Sequence, residues 1–148
     1  MPAEIQGDCE SCGHRWETIS LTYRIGPIDY QKDNLRSLWC PQCMLELHCV
    51  QSIDRNAWVR WLRSNEEFLT RSRFARHVCE AISGMVSNGP WYAPVKVELP
   101  EIPCPRCQTL LELEIEGQKT AICPGCNQRS GKLAICAMVS VVYPDGIP

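Results

Sequence analysis

The feature that most constrains this chain is a set of four C-x-x-C pairs. Two intervening residues let the chain turn tightly, so that backbone N–H groups point at the thiolates and share their negative charge. Two such turns supply four sulfurs at the corners of a tetrahedron, which suits zinc. Proline follows the first cysteine in three of the four turns and favours the turn by fixing φ. The paired cysteines are Cys9 and Cys12, Cys40 and Cys43, Cys104 and Cys107, and Cys123 and Cys126.

Disulfides and redox dithiols fit the cysteine pattern less well than metal. Disulfides need an oxidising compartment, but residues 1–12 carry three acids and no apolar core, so we expect no export signal. The total of eleven cysteines is also odd. A thioredoxin-type pair is single and opens a helix, whereas these pairs come in twos with strand-like flanks. We therefore expect a cytoplasmic, intracellular protein whose thiols bind metal.

The paired turns resemble those of the zinc ribbon family, in which a C-x-x-C turn, a β-hairpin, a second such turn and a further strand follow one another. The resemblance occurs twice and implies two zinc ions with four thiolates each. It predicts one zinc held by Cys9, Cys12, Cys40 and Cys43, and the other by Cys104, Cys107, Cys123 and Cys126. The spacing alone leaves open which pairs share a metal, because four pairs combine into two sites in three ways.

Iron is the alternative metal, since the turns are also similar to those of rubredoxins. Rubredoxin turns usually continue with glycine after the last ligand. Met44 and Asn127 stand at that position in this chain, which favours zinc over iron.

The hydrophobic pattern predicts an α+β fold: two four-cysteine zinc-ribbon β-modules joined by a central helical segment. Apolar alternation predicts strands over 17–25, 35–39, 44–52 and 132–143, a polar loop at 29–34 and a hairpin turn at 116–119. Apolar spacings of three, four and seven predict helix over 54–86. Asp54 is the expected N-cap, and the capping-box pattern at Ser64 predicts that a second helix begins there.

The chain thus divides into an N-terminal ribbon (1–52), a helical segment (53–88), a proline-rich extended linker (89–103) and a C-terminal ribbon (104–148). Alternation of Val95, Val97 and Leu99 indicates that part of the linker pairs as an edge strand. A ribbon alone buries too little apolar area to be stable, so the metal is expected to supply folding energy. We expect the helical segment to pack against the ribbons in one compact unit.

The remaining cysteines and the histidines are not expected to be essential ligands. Cys79 and Cys136 are predicted to be buried core residues. His48 and Cys49 leave open a further metal site, although we rather expect His48 to be exposed on the outer face of a strand. His14 follows the first turn, but four thiolates are already available to that site.

The residues predict a non-catalytic protein, because four thiolates close a zinc site whereas catalytic zinc keeps an open position. We expect the two structural ribbons to form a macromolecular interaction module, with another protein as the partner. No apolar run reaches the length of a membrane-spanning helix. The candidate contact residues, if exposed, are Trp58, Trp61, Trp91 and Tyr92.

Nucleic-acid binding through the helical segment is the alternative function. The segment carries six arginines but also four acids, so its net charge is about +2. The chain has a formal net charge of −2, and two zinc–tetrathiolate centres would lower it to about −6. This charge disfavours contact with phosphate unless the arginines form a local patch. The arginines are Arg55, Arg60, Arg63, Arg71, Arg73 and Arg76.

Overall fold

The computed structural model describes residues 3–29, 34–99, 101–113, 121–129 and 131–138. These residues form a mixed α+β fold, as predicted. The strands are β1 (Ala3–Cys9), β2 (Arg15–Ile25), β3 (Arg36–Trp39), β4 (Leu45–Cys49), β5 (Ser52–Ile53), β6 (Val95–Lys96), β7 (Glu112–Leu113) and β8 (Gly131–Met138). The helices are α1 (Arg55–Ser64), α2 (Glu66–Arg71) and α3 (Arg73–Asn88).

One sheet takes strands from both ends of the chain, in the order β7-β3-β4-β2-β1-β8. The β1 strand, which the sequence did not predict, pairs antiparallel with both β2 and β8. In the other half of the sheet, β4 runs parallel to β2 and antiparallel to β3, and β3 pairs with β7. The structure therefore does not confirm two separate ribbon modules, and the four-segment division stays a prediction.

The helical segment forms three helices because capping residues interrupt it twice. The Asp54 side chain accepts a hydrogen bond from the Ala57 N–H at 2.8 Å, which confirms the predicted N-cap of α1. The second helix was placed one residue too early, since Asn65 rather than Ser64 is the N-cap of α2, and its side chain makes no capping bond. A further break at Ser72 was not predicted, and its hydroxyl caps α3 by accepting from the Ala75 N–H.

Helices α1 and α3 lie antiparallel against the sheet. The Arg55 guanidinium donates to the carbonyls of Ser87 and Gly89 at the end of α3, and the Trp58 indole donates to Ser83 at 2.9 Å. The main hydrophobic core lies between these helices and strands β2 and β4. Its most buried members include Ile25, Leu47, Val50, Trp58, Ala75, Val78 and Ile82.

A second, smaller core lies on the sheet near the cysteine turns and contains Ile5, Trp39, Met44 and Ala121. The predicted edge strand in the linker is present as β6, which pairs with β5. The predicted turn at 116–119, most of the loop at 29–34, the strand beyond Met138 and the side chain of Cys136 lie outside the part of the chain that is described. Within the described residues, no helix has the length and apolar character needed to cross a membrane.

Candidate metal centre

The four C-x-x-C turns share one backbone geometry. In each turn, the N–H of the first cysteine donates to the carbonyl five residues later, at 2.7–2.9 Å. The carbonyl of the same cysteine accepts from the N–H four residues later, at 2.8–3.0 Å. The first turn, for example, joins Cys9 to His14 and Gly13 in this way. The C-x-x-C spacing therefore folds the chain locally in the same way at all four positions.

The residue after the second cysteine has a positive φ in every turn, which closes the loop back onto the strand. Only the first turn has glycine there, Gly13, with φ of 74°. The other three turns place a side chain in this left-handed conformation, at a cost of about 1–2 kcal/mol each. These residues are Met44 (58°), Gln108 (64°) and Asn127 (59°).

The turns combine in pairs to form two groups of four thiols. The outer cluster consists of Cys9, Cys12, Cys123 and Cys126, and the inner cluster consists of Cys40, Cys43, Cys104 and Cys107. Within each cluster all sulfur atoms lie within 4.8 Å of one another. The first cysteine of every turn is buried, whereas the second is half-buried or, at Cys12, exposed. Each cluster can hold a metal ion.

Distances between sulfur atoms match tetrahedral coordination. The Sγ atoms of Cys9 and Cys126 are 3.6 Å apart, as are those of Cys12 and Cys123. In the inner cluster the Sγ atoms of Cys40 and Cys107 are also 3.6 Å apart. Four sulfurs around an ion at about 2.3 Å from each would be about 3.8 Å apart.

The predicted combination of pairs was wrong, because the clusters are nested rather than sequential. The first turn joins the fourth, and the second joins the third. The first pairing follows from β1 and β8, since Cys9 lies opposite Gly131 and the fourth turn immediately precedes β8. The second follows from β3 and β7, since Trp39 lies opposite Glu112 and these strands adjoin the second and third turns.

Strand register also shows why the first two turns do not meet. Strand β4 begins at Leu45, which lies beside Leu21 in the parallel pair with β2. Strand β2 itself begins at Arg15, six residues earlier. Six residues of strand span about 20 Å, so Cys12 and Cys43 are held too far apart to share an ion.

Burial and hydrogen bonds shift the pKa values of the inner thiols. Burial raises the pKa of Cys40 to about 11, against the opposing effect of the Cys43 and Gln42 N–H groups. Burial also acts to raise the pKa of Cys107, but hydrogen bonds from Thr109 and the neighbouring thiols lower it to about 6. The Cys43 N–H lies 3.3 Å from the Cys40 sulfur, so a thiolate there is stabilised by the turn itself.

The two clusters are joined by direct contacts between their turns. The N–H of Ile122, before the fourth turn, donates to the carbonyl of Pro41 in the second turn at 2.9 Å. Arg129, just after the fourth turn, forms a two-point ion pair with Glu112, just after the third. This pair lowers the pKa of Glu112 through the Arg129 hydrogen bonds. The clusters are therefore parts of one structural unit.

Among the described residues, the histidines and the unpaired cysteines Cys49 and Cys79 lie outside both clusters. The His14 ring stacks on Trp16. The same His14 side chain also limits the open space beside Gly125. His48 is mostly buried and lies 3.2 Å from Glu46, so the prediction that it is exposed was wrong. Cys49 and Cys79 are buried in the main core and form no part of either group.

The four candidate contact aromatics divide into core and surface residues. Trp58 and Trp61 are buried and stack on each other with ring centroids 5.4 Å apart. Trp91 and Tyr92 are 80% and 78% exposed and meet edge to face. The sequence did not distinguish the two pairs, although Trp91 and Tyr92 directly follow Pro90 rather than lying on an apolar helix face.

Trp16 is the residue at the site that sequence reasoning missed. Its ring lies against the backbone of Gly7 and Gly131, where a Cβ atom would approach it to 2.4 and 2.7 Å. Gly7 and Trp16 are paired across β1 and β2, and Gly131 lies beyond them on β8. The sequence signal for this contact is a pair of glycines on the strands next to a tryptophan. It could be used only if β1, which contains Gly7, had been predicted as a strand.

Comparison with protein families matches residues 1–135 to the family described as "Domain of unknown function (DUF8259)". No curated protein matches this chain. No solved structure matches it either.

Proposed function

We propose that this chain, which belongs to the DUF8259 family, binds two structural zinc ions and serves as a non-catalytic protein-interaction module. The observation that carries the proposal is the assembly of eight thiols into two groups of four. Each group draws its turns from distant parts of the sequence, so an ion in it would hold the sheet together. Structural zinc sites contribute directly to folding free energy.

Zinc is the metal that best suits these clusters. Every candidate ligand is a thiol, and the 3.6 Å sulfur separations fit a tetrahedron. Iron in a tetrathiolate site has similar requirements, so it remains the alternative. With the nested pairing, Gln108 and Asn127 rather than glycine follow the last ligand of each cluster, which supports zinc by the resemblance already described.

A structural role is supported by the closed coordination of both clusters. Four thiols leave no position for water or substrate, whereas catalytic zinc uses about three protein ligands. A partner protein is supported by Trp91 and Tyr92, because large exposed aromatics are enriched at interfaces. Other large apolar side chains at the surface are Ile19, Val59, Leu110 and Leu113.

Elemental analysis of the purified full chain tests the metal. We expect two zinc ions per chain, and stoichiometric iron or less than one zinc would refute the proposal. A double variant then tests the nested arrangement. Replacing Cys43 and Cys107 by serine removes two ligands from the inner cluster, so one zinc should be lost and one retained. Sequential pairing would instead leave two impaired sites of three thiolates each.

A second candidate function is nucleic-acid binding through the helices. Five of the six helical arginines are exposed, and among them only Arg71 has an ion-pair partner, Glu67 at 3.8 Å, within the described residues. The remaining exposed arginines are Arg60, Arg63, Arg73 and Arg76. Salt-dependent retention of the zinc-loaded chain on heparin would support this candidate, and elution at low salt would count against it.

A further inference from the structure

We propose that the cleft between the two cysteine clusters binds an extended, basic peptide segment of a partner protein, which adds to the open edge of β2. The proposal rests on the zinc centres proposed above, because it uses their charge. It specifies the chemistry of the partner and the place where the partner binds.

The cleft has a volume of about 500 Å³ and runs between β2 and the turns of both clusters. Trp16, Glu17 and Thr18 form one side. Gln42, from the turn of the inner cluster, and Pro124 and Asn127, from the turn of the outer cluster, lie among the other lining residues. The volume lies within the range of about 300–1,000 Å³ that is usual for ligand pockets.

The cleft lies along a part of the β2 edge that no described strand covers. Strand β2 pairs with β1 on one side from Asp8 opposite Arg15 to Ala3 opposite Ser20. On its other side it pairs with β4, but only from Leu21 onward. Within the described residues, no strand therefore pairs with the outer edge of β2 from Arg15 to Ser20. Such an edge presents N–H and C=O groups to which an extended peptide can bind.

The charge around the cleft favours a cationic segment. Glu17 is exposed, and its carboxylate has no ion-pair partner within the described residues. Each zinc with four thiolates would add a charge of about −2, and a turn of each cluster lines the cleft. Of the described cations beside the cleft, Arg15 pairs with Asp8 at 2.7 Å and Arg129 pairs with Glu112, so both are already neutralised. A lysine-rich strand would complement this field.

The other groups lining the cleft suit an extended backbone with alternating side chains. In a bound strand, successive side chains point to opposite faces, so one set would lie over the apolar surfaces of Trp16 and Pro124. Thr18, Gln42 and Asn127 offer hydrogen-bonding groups to the remaining polar atoms. Lysine side chains would extend to the opposite face, toward Glu17, which alternates with Trp16 and Thr18 along β2.

Fluorescence anisotropy with the zinc-loaded full chain tests the proposal. The probe is a labelled peptide of alternating lysine and valine, compared with one of alternating glutamate and valine and one of alternating lysine and proline. The proline peptide keeps the charge but lacks half of the backbone N–H donors, and the fixed φ of proline, about −65°, disfavours the extended strand conformation. We expect the lysine–valine peptide to bind at least about tenfold more tightly than either control. Equal binding of the proline peptide would overturn strand addition, and equal binding of the glutamate peptide would overturn charge selection.

Matched variants locate the binding site. Glu17→Lys should weaken binding of the lysine–valine peptide by at least about fivefold, whereas Glu80→Lys, on the exposed face of α3, should not. Thr18→Arg should weaken it and Thr70→Arg on α2 should not. Equal effects of the cleft variants and their controls would refute binding in the cleft.

Two measurements separate this proposal from the proposed function. If each variant keeps two zinc ions and the lysine–valine peptide does not bind, the cleft proposal fails and the zinc function stands. If the purified chain holds no zinc, the proposed zinc-binding function is refuted, and the cleft proposal that rests on it is refuted too. Amide hydrogen exchange gives a further check: the Glu17 amide, which alternates away from β1, should become protected on adding the peptide. Protection before peptide is added would show that the chain itself covers this edge and would overturn the proposal.

Discussion

Trp16 lies against the backbones of Gly7 in β1 and Gly131 in β8, and this close approach restricts how these two strands pack next to Cys9 of the outer cluster. A Cβ atom at Gly7 would lie 2.4 Å from the indole ring, so alanine there forces the ring or the strand to move. We predict that Gly7→Ala lowers the free energy of unfolding by about 1–3 kcal/mol. Chemical denaturation of the zinc-loaded protein measures the change.

Gly84 provides the control for that substitution. It lies inside α3, and nothing lies within 4 Å of the position that a Cβ atom would take. Gly84→Ala should therefore stabilise the helix by up to about 1 kcal/mol. If both variants shift the unfolding midpoint in the same direction, the contact between Trp16 and Gly7 does not have the effect assigned to it.

The two buried thiols of the main core make stability depend on alkaline pH. Burial raises the pKa of Cys49 and that of Cys79 from 9.0 to about 12. The folded state therefore keeps these protons at a pH where the unfolded chain loses them, and stability falls as pH rises from about 9 to about 12. We predict that Cys49→Ala reduces this fall by up to about 1.4 kcal/mol per pH unit.

Urea titrations of wild type and Cys49→Ala at about pH 8 and about pH 11 measure this dependence. A cavity left by the alanine would lower stability at both values, so only the difference between them reports ionisation. An identical fall in the two proteins would contradict the prediction.

The predicted N-cap Asp54 caps helix α1 with its side chain, whereas the predicted N-cap Ser64 caps no helix. Asp54 accepts from the Ala57 N–H, so Asp54→Ala should cost about 1 kcal/mol of stability. Ser64 is the last residue of α1 and is exposed. Ser64→Ala should therefore change stability by less than about 0.5 kcal/mol. Thermal unfolding followed at a helical circular dichroism wavelength compares the two, and a larger loss at Ser64 would restore the capping-box interpretation.

Short sequence patterns predicted the elements that depend on interactions between residues close together in the chain. The C-x-x-C turns formed at all four positions because their hydrogen bonds connect residues at most five apart. The combination of turns was not predictable from spacing, since it depends on pairs such as Cys9 with Gly131 that lie far apart in the sequence. Strand β1 does alternate, with Glu4, Gln6 and Asp8 on its polar face, but it was missed because Gly7 and the small Ala3 make the apolar face weak.

Alternation along β2 also gave an incomplete prediction of the sheet. It placed Ile19 on the same face as Ile25, and Ile25 is indeed buried. Ile19, however, is 50% exposed, whereas Ser20 is buried with its hydroxyl donating to the Met44 carbonyl. The first half of β2 packs the opposite set of side chains, including Trp16, toward the smaller core. The alternation alone does not reveal that two cores lie along one strand.

At the scale of the whole molecule, the proposed zinc ions join distant parts of the chain around a small core. Trp39 and Met44 are buried in that core directly beside the inner cluster. Removing zinc should expose them, because thiolate zinc sites can carry about 10 kcal/mol or more of folding free energy. We predict that a strong chelator abolishes the near-ultraviolet tryptophan signal of this region, while part of the helical signal survives in α1 and α3.

Returning zinc in excess should restore the near-ultraviolet spectrum, which separates metal loss from damage by the chelator. Trp58 and Trp61 lie in the main core and serve as an internal reference for the helices. A near-ultraviolet spectrum that stays unchanged after zinc has been removed would show that the metal does not organise the smaller core.

The last prediction concerns nucleic acid, because exposed arginines on helices invite that interpretation. Arg60 and Arg63, which have no ion-pair partner within the described residues, lie on one face of α1, three residues apart. The helical segment nevertheless has a net charge of only about +2, and the zinc-loaded chain would carry about −6. Specific duplex binders make several phosphate contacts, each of which steepens the salt dependence. We therefore predict a dissociation constant for duplex DNA weaker than about 10 μM at physiological salt, against a usual non-specific range of about 1–100 μM.

An anisotropy titration of the zinc-loaded chain with duplex DNA measures this dissociation constant. Sub-micromolar, salt-sensitive binding that Arg60→Glu and Arg63→Glu abolish would contradict the prediction and place nucleic-acid binding first.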